Sequence, residues 1–224
     1  MKTIKLWAAT AALTVSSIAV AGPSYTYVDL GFITADSQGK EDTGGFALRG
    51  SFGFADLFHV GATIDSGEVS GGRSKATEDN PKGADFDAYS LYFGVNPAMT
   101  DNVDLVVRVG YDAGEKKGKD LMTDVNNKRE NEALFLSFGT RAMLSEMFEL
   151  NAFATYSAGD SQLKDSDEAK FDIANWSYTA GGEYYFTEMF SVGLDLSLEG
   201  ATAGNVETGV GAYGNAANLH ARLN

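Results

Sequence analysis

From Tyr27 onward the chain changes polarity at almost every second residue. In Phe46-Ala47-Leu48-Arg49-Gly50-Ser51-Phe52-Gly53-Phe54 the even positions are mostly bulky and apolar, the odd ones small or charged. Val103-Asp104-Leu105-Val106-Val107-Arg108-Val109-Gly110-Tyr111 does the same, with its apolar row on odd numbers. Side chains leave an extended strand alternately from its two faces, so each such segment has one apolar face and one polar or small face. A chain patterned this way is committed to sheet.

One turn recurs. It reads Phe54-Ala55-Asp56-Leu57-Phe58, then Met99-Thr100-Asp101-Asn102-Val103, Leu144-Ser145-Glu146-Met147-Phe148 and Phe186-Thr187-Glu188-Met189-Phe190. The copies start 45, 45 and 42 residues apart (99 − 54, 144 − 99, 186 − 144). Such a period raises propellers and solenoids. Here only the turn repeats, while the connections between copies vary, so a meander of hairpins is expected. Strands on both sides of each turn give ten, at about 24–34, 44–54, 58–67, 85–96, 103–113, 132–144, 148–158, 174–186, 190–199 and 210–223, with eight as the alternative count. The long connections fall at 35–43, 68–84, 114–131, 159–173 and 200–209. An even number of strands, short turns at one end and long loops at the other describe an outer-membrane barrel.

The apolar rows decide between a membrane barrel and a soluble one. They run Val28, Leu30, Phe32; Phe46, Leu48, Phe52, Phe54; Leu134, Leu136, Phe138; Phe190, Val192, Leu194, Leu196, Leu198. Opposite them stand Asp29 and Gly31, Arg49 and Ser51, Asp104 and Arg108, Asp195 and Ser197. A soluble barrel fills its interior with apolar side chains, whereas a membrane barrel turns them to lipid around a polar lumen. Phe54, Phe58, Phe148, Phe186 and Phe190 flank the short turns, and Tyr111, Tyr156, Trp176 and Tyr178 lie near the loop ends. Two aromatic belts at membrane–water boundaries have this arrangement. The expected fold is all-β, a ten-stranded antiparallel up-and-down transmembrane β-barrel; a β-sandwich core is the soluble alternative.

The first residues are read as a secretory signal peptide over 1–21. Lys2 and Lys5 precede an apolar stretch, and Ala19-Val20-Ala21 supplies the small-x-small cleavage pattern. The barrel then occupies 22–224, and the cell outer membrane is its expected location. Losing the two lysines takes the formal charge from −14 to −14 − 2 = −16. That acidity argues against nucleic acid as a partner. The chain has no cysteine, so no disulfide framework is expected.

Tyr27-Val28-Asp29-Leu30-Gly31-Phe32-Ile33-Thr34-Ala35-Asp36-Ser37, Gly45-Phe46-Ala47-Leu48-Arg49-Gly50-Ser51-Phe52 with Phe58-His59-Val60, and Thr100-Asp101-Asn102-Val103-Asp104-Leu105-Val106 carry a resemblance. They look like the small Ax-type outer-membrane barrels first described in xanthomonads, and more broadly like barrels of the outer-membrane-protein-A style. The resemblance implies fold and location, not a reaction. It is close to about residue 112 and looser beyond. Such barrels usually end in an aromatic residue, whereas this chain ends Leu223-Asn224.

Three places could carry function. In the lumen, Asp29, Arg49, Arg108 and Asp195 fall near mid-barrel; Asp104, Arg141, Glu149, Glu183 and Arg222 fall near the periplasmic end. Charges in a narrow barrel must be paired or wetted. They are read as a salt-bridged plug, with an ion filter as the alternative. For catalysis, His59 and His220 are the only histidines; both fall on the polar row near the periplasmic end and are read as lumen hydrogen-bonding residues. No Gly-x-Ser-x-Gly, His-Glu-x-x-His or Walker loop is present. In the loops, Gly159–Glu168 is acid-rich but lacks the spacing and central Gly of a calcium-binding EF-hand loop. Lys116, Lys117 and Lys119 could reach lipopolysaccharide phosphates. The expected role is non-enzymatic, at the envelope or surface through extracellular loops, with no cofactor and no metal. Outer-membrane lipid, lipopolysaccharide and the barrel-assembly machinery are the expected partners. A narrow diffusion pore and an outer-membrane hydrolase are the rivals.

Overall fold

Wherever the sequence alternates, the chain extends. The computed structural model describes residues 23–36, 42–70, 84–119, 126–164, 170–201 and 214–224. The strands are β1 (Tyr27–Asp36), β2 (Asp42–Phe54), β3 (Phe58–Ser70), β4 (Ala84–Val95), β5 (Ala98–Thr100), β6 (Val103–Lys119), β7 (Asn126–Ser145), β8 (Phe148–Leu163), β9 (Phe171–Tyr185), β10 (Phe190–Ala201) and β11 (Gly214–Leu223). Ten of them form a closed antiparallel barrel: each pairs with its sequence neighbours, β4 pairs with β6, and β11 returns to β1. The three-residue β5 folds back on β6 within the second short turn. Closure removes the free edges that a sandwich would keep, and lipid could not satisfy such edges.

The recurring turn has a local chemical cause. Between β7 and β8, and between β9 and β10, its small residue is a hydroxyl. Ser145 Oγ accepts from the backbone N of Met147 at 3.3 Å, and Thr187 Oγ1 accepts from the backbone N of Met189 and Phe190. Thr100 Oγ1 does the same for Asn102. The first copy carries Ala55 instead and uses backbone conformation. Ala55 and Asp56 both have positive φ (52° and 54°), two left-handed residues within the three-residue connection that closes the Phe54–Phe58 pair.

The barrel is polar inside and apolar outside. Leu30, Phe46, Leu134 and Leu136 project outward and are exposed, whereas His59 is 0 % and Glu149 1 % exposed. This is the reverse of a water-soluble barrel and fits a wall surrounded by hydrocarbon. Phe54 and Phe58 lie 5.9 Å apart at one short turn, and Phe186 and Phe190 5.8 Å apart at another. Further up the wall Tyr156, Trp176 and Tyr178 form an outward cluster, with ring separations of 5.3 and 6.4 Å.

Strand ends differ from expectation. The connections expected at 114–131 and 159–173 are largely strand: β6 continues to Lys119, β7 begins at Asn126, β8 reaches Leu163 and β9 starts at Phe171. Above the outer belt the outward row turns from apolar to charged, so alternation fades while the hydrogen-bond ladder continues. Residues 24–26, expected to open the first strand, precede β1 and turn into the lumen. The last strand begins at Gly214; 210–213 lie outside the described residues, as do the signal-peptide segment and 165–169 of the acid-rich loop.

Candidate functional site

The lumen gathers the charges, and its periplasmic end is filled. Tyr25, buried, donates from its hydroxyl to Asp104 Oδ2 at 3.0 Å, and its ring lies 4.8 Å from that of His59. Arg141 caps it, with the guanidinium 4.6 Å above the Tyr25 ring. The same Arg141 donates from Nη1 to the Ser24 carbonyl at 2.7 Å and from Nε and Nη2 to the two carboxylate oxygens of Glu149. Tyr185 adds a third donor to Glu149 at 2.8 Å. Thus Pro23–Thr26, β7, β8 and β9 meet in one floor.

A second knot joins β1, β9, β10 and β11. Arg222 grips both carboxylate oxygens of Asp29, at 2.7 and 3.0 Å, and lies 4.0 Å over the Tyr27 ring. Its Nη1 also approaches Glu183 at 3.4 Å. Glu183 accepts from Ser191 Oγ at 2.6 Å and contacts His220 Nε2 at 2.9 Å. Above it Arg49 donates to Asp195 at 3.0 Å. Asn218 stands between them, its amide oxygen oriented to accept from Arg49 and from His220 Nδ1.

Arg108 is the exception. It has no carboxylate partner among the described residues. Instead its Nε donates to His59 Nε2 at 3.2 Å, and its guanidinium lies 5.1 and 4.5 Å from the Tyr92 and Phe153 rings. His59 then presents Nδ1 to Asn96 Oδ1 at 3.0 Å. Because Nε2 accepts, the proton of this ring sits on Nδ1. Bulky inward rings are accommodated by glycine on the neighbouring strand: a Cβ at Gly94 would collide with His59, and one at Gly193 with His220.

The six residues singled out beforehand, Asp29, Arg49, Arg108, Asp195, Arg141 and Glu183, all face the lumen but do not form one network. Asp29, expected at mid-barrel, is a direct register partner of Arg222 and joins the lower tier. Arg49–Asp195 joins the Glu183–His220–Arg222 knot through Asn218 and through His220 Nδ1, 3.8 Å from Asp195 Oδ2, whereas Arg141–Glu149 belongs to the floor. Strand alternation does not single out Tyr25, Asn96 or Ser191 as partners, and Tyr25 falls within the span expected for the first strand. A lumenal cavity of about 370 Å³ is lined by the paired charges themselves, from Arg141 and Glu149 to Arg49 and Asp195, and by Asp65 and Glu199. One carboxylate oxygen of Asp65 has no hydrogen-bond partner there.

Ser191, His220 and Glu183 lie together but do not form a nucleophile with its base. The serine hydroxyl is spent on Glu183 rather than His220, and Ser191 is completely buried. Outside, beyond the outer belt, Lys128 bridges Glu115 and Glu130, with Lys117 also on Glu115 and Lys164 on Glu130. Lys116 stands on the opposite, lumenal row from Lys117.

A closed barrel with an apolar outside and a charged, knotted lumen has the properties of an outer-membrane protein. Residues 6–175 match the model of the outer membrane protein beta-barrel domain. The chain belongs to that family. No curated protein sequence matches it. Among solved structures it is similar to an outer membrane channel from Pseudomonas putida F1, at 12 % identity and TM-score 0.51, over 93 % of this chain and 97 % of the other. It is also similar to the translocator domain of the autotransporter NalP from Neisseria meningitidis, at 10 % identity and TM-score 0.51, over 89 % and 87 %. The outer membrane protease OmpT from Escherichia coli aligns at 12 % identity and TM-score 0.48, over 88 % and 93 %. At these identities the likeness to the first two establishes the barrel fold alone.

Proposed function

We propose that this outer-membrane barrel is a non-enzymatic envelope protein with a closed lumen, which acts at the cell surface through its extracellular rim. The observation that carries the reading is the floor: Ser24, Tyr25, Asp104, Arg141, Glu149 and Tyr185 interlock across the periplasmic end. Buried charges held by several hydrogen bonds each are costly to separate, so the floor is a structural closure. Deep burial of His59, His220 and Ser191 at the periplasmic side keeps them from a substrate at the cell surface, which disfavours the hydrolase reading. Asp29, Arg49, Arg108, Asp195, Arg141 and Glu183 then serve to hold the wall together.

The cavity above the floor favours a second reading, a narrow pore for ions or small solutes with Arg49 and Asp195 among its lining charges. Liposome swelling separates the two. Vesicles carrying the refolded protein should not swell in isotonic small sugars or amino acids. Swelling at rates set by solute size would establish the pore instead.

Outside the barrel, lipopolysaccharide is the proposed partner of the lysine group Lys117, Lys128 and Lys164. This replaces Lys116, which lies on the lumenal row. The barrel-assembly machinery is the proposed partner during insertion. Likeness to the small Ax-type barrels remains part of this proposal.

A further inference from the structure

Two polar groups of the lumen stand apart from its knots. Arg108 donates from Nε to His59, but its two terminal nitrogens have no hydrogen-bond partner among the described residues. Its head lies 5.1 and 4.5 Å from the Tyr92 and Phe153 rings. Asp65 is the second: its Oδ1 is shut off from solvent and accepts no hydrogen bond. Arg49 does not fill that place, because it donates to Asp195 and to Asn218. Buried polar atoms in folded proteins are nearly always partnered, so an orphan of this kind points to a partner from outside the chain.

Both groups line the same cavity. At about 370 Å³ it falls within the range of small-molecule sites, which begins near about 300 Å³. They stand at different depths. Asp65 is in register with Ala88, and Ala88 with Gly114, which lies six residues from Arg108 along β6 toward the outer end. Glu199 places a second carboxylate in the upper part, four residues outward from Asp195, and Ile33, Phe153 and Ala216 add apolar lining.

These charges select the class of ligand. A simple anion would satisfy Arg108 but leave Asp65 orphaned and crowd a negative charge against Asp195 and Glu199. A simple cation would satisfy Asp65 and be repelled by Arg49 and Arg108. A zwitterion satisfies both ends. Because Arg108 lies well below Asp65, the two charges of the ligand must be separated, as in a short peptide, and not carried on one carbon as in a free α-amino acid.

We propose that the lumen is a cup for a short unblocked peptide of two or three residues. Its terminal carboxylate lies on the Arg108 guanidinium, and its terminal ammonium on Asp65 with Glu199 beside it. Nε of Arg108 stays on His59, so the packed lower lumen holds the group that reads the carboxylate. The floor shuts the cup below and the peptide enters from the outer end; that dead end rests on the closed-lumen reading, whereas the site itself does not.

Calorimetric titration tests it, with the refolded mature protein in detergent micelles and L-alanyl-L-alanine as the probe. Heat-modifiable migration on a gel confirms the fold of each variant. The dipeptide should bind saturably, one molecule to a barrel. N-acetyl-alanyl-alanine lacks the ammonium and alanyl-alanine amide lacks the carboxylate. Each should bind about tenfold more weakly, the loss of one charge-assisted hydrogen bond. Arg108→Gln should erase the preference over the amide, and Asp65→Asn the preference over the acetylated form, each leaving the other preference in place. A wild-type protein that gives no saturable heat at millimolar dipeptide would overturn the site. Equal binding of free and blocked peptides, or variants that keep both preferences, would overturn the charge assignment. Vesicle swelling would end the closed-lumen reading alone, since binding in micelles is read independently of passage.

Discussion

Arg141 and Glu149 meet through two hydrogen bonds, Nε to Oε1 at 2.6 Å and Nη2 to Oε2 at 2.9 Å, with both side chains almost wholly removed from solvent. They project from the adjacent strands β7 and β8, and the pair is locked from above and below by Tyr185 and by the Ser24 carbonyl. An ion pair this buried gains little over an apolar pair of the same shape, but losing one member leaves a charge stranded. Arg141→Ala should therefore destabilise the barrel by about 3–5 kcal/mol. Urea titration in detergent, read by tryptophan fluorescence, measures it, and an unchanged midpoint would contradict the buried pair.

The assignment of faces gives the second prediction. Leu136 points outward between Leu134 and Phe138, so Leu136→Arg should cost about 2–4 kcal/mol near the bilayer midplane. Its neighbour Ser137 is buried in the lumen and accepts one hydrogen bond, from Thr155 at 2.9 Å. Ser137→Ala should cost about 1 kcal/mol. If Ser137 proves the intolerant site in the same unfolding titration, the faces are inverted.

How much of this was legible in the residues follows from what each signal requires. Period-two alternation reports a wall with two unlike media, so strand cores such as Phe46–Phe54 and Val103–Tyr111 could be read directly. It fails where both faces meet water, and there β6 to β9 run on through Glu115, Glu130, Glu132 and Asp160 without an apolar row. Inward charges were legible by parity, but their partners were not. Arg222 meets Asp29 only because β11 closes on β1 across the whole chain, and Arg108 takes a histidine and two rings where a carboxylate was expected. Tyr25 was hidden for a different reason: three residues ahead of β1 still look like strand, yet they bend inward to finish the floor.

Gly94 and His59 offer a test of lumen packing. The His59 ring lies against the bare Cα of Gly94, where a Cβ would collide with it. Gly94→Ala should lower stability in the wild-type background and much less in a His59→Ala background. Contacting residues show coupling of about 0.5–3 kcal/mol in such double-mutant cycles. Additive effects would separate the two side chains.

The outer lysines supply a prediction about the surface. Lys117 and Lys164 are exposed, Lys128 is half-buried and all three are paired at the surface, so the Lys117→Ala, Lys128→Ala, Lys164→Ala triple variant should change stability little, surface pairs being worth about 0–1 kcal/mol each. Lipopolysaccharide retained through purification should nevertheless fall severalfold. Equal retention by variant and wild type would remove lipopolysaccharide as the partner of these residues.

The most direct measurement of the closed lumen is single-channel conductance of the refolded mature protein in a planar bilayer. The floor built by Tyr25, Asp104, Arg141 and Glu149 predicts insertion without discrete current steps. Reproducible steps in the wild-type protein, altered in size or ion selectivity by Arg49→Ala or Arg108→Ala, would contradict it and make the lumen a charged filter.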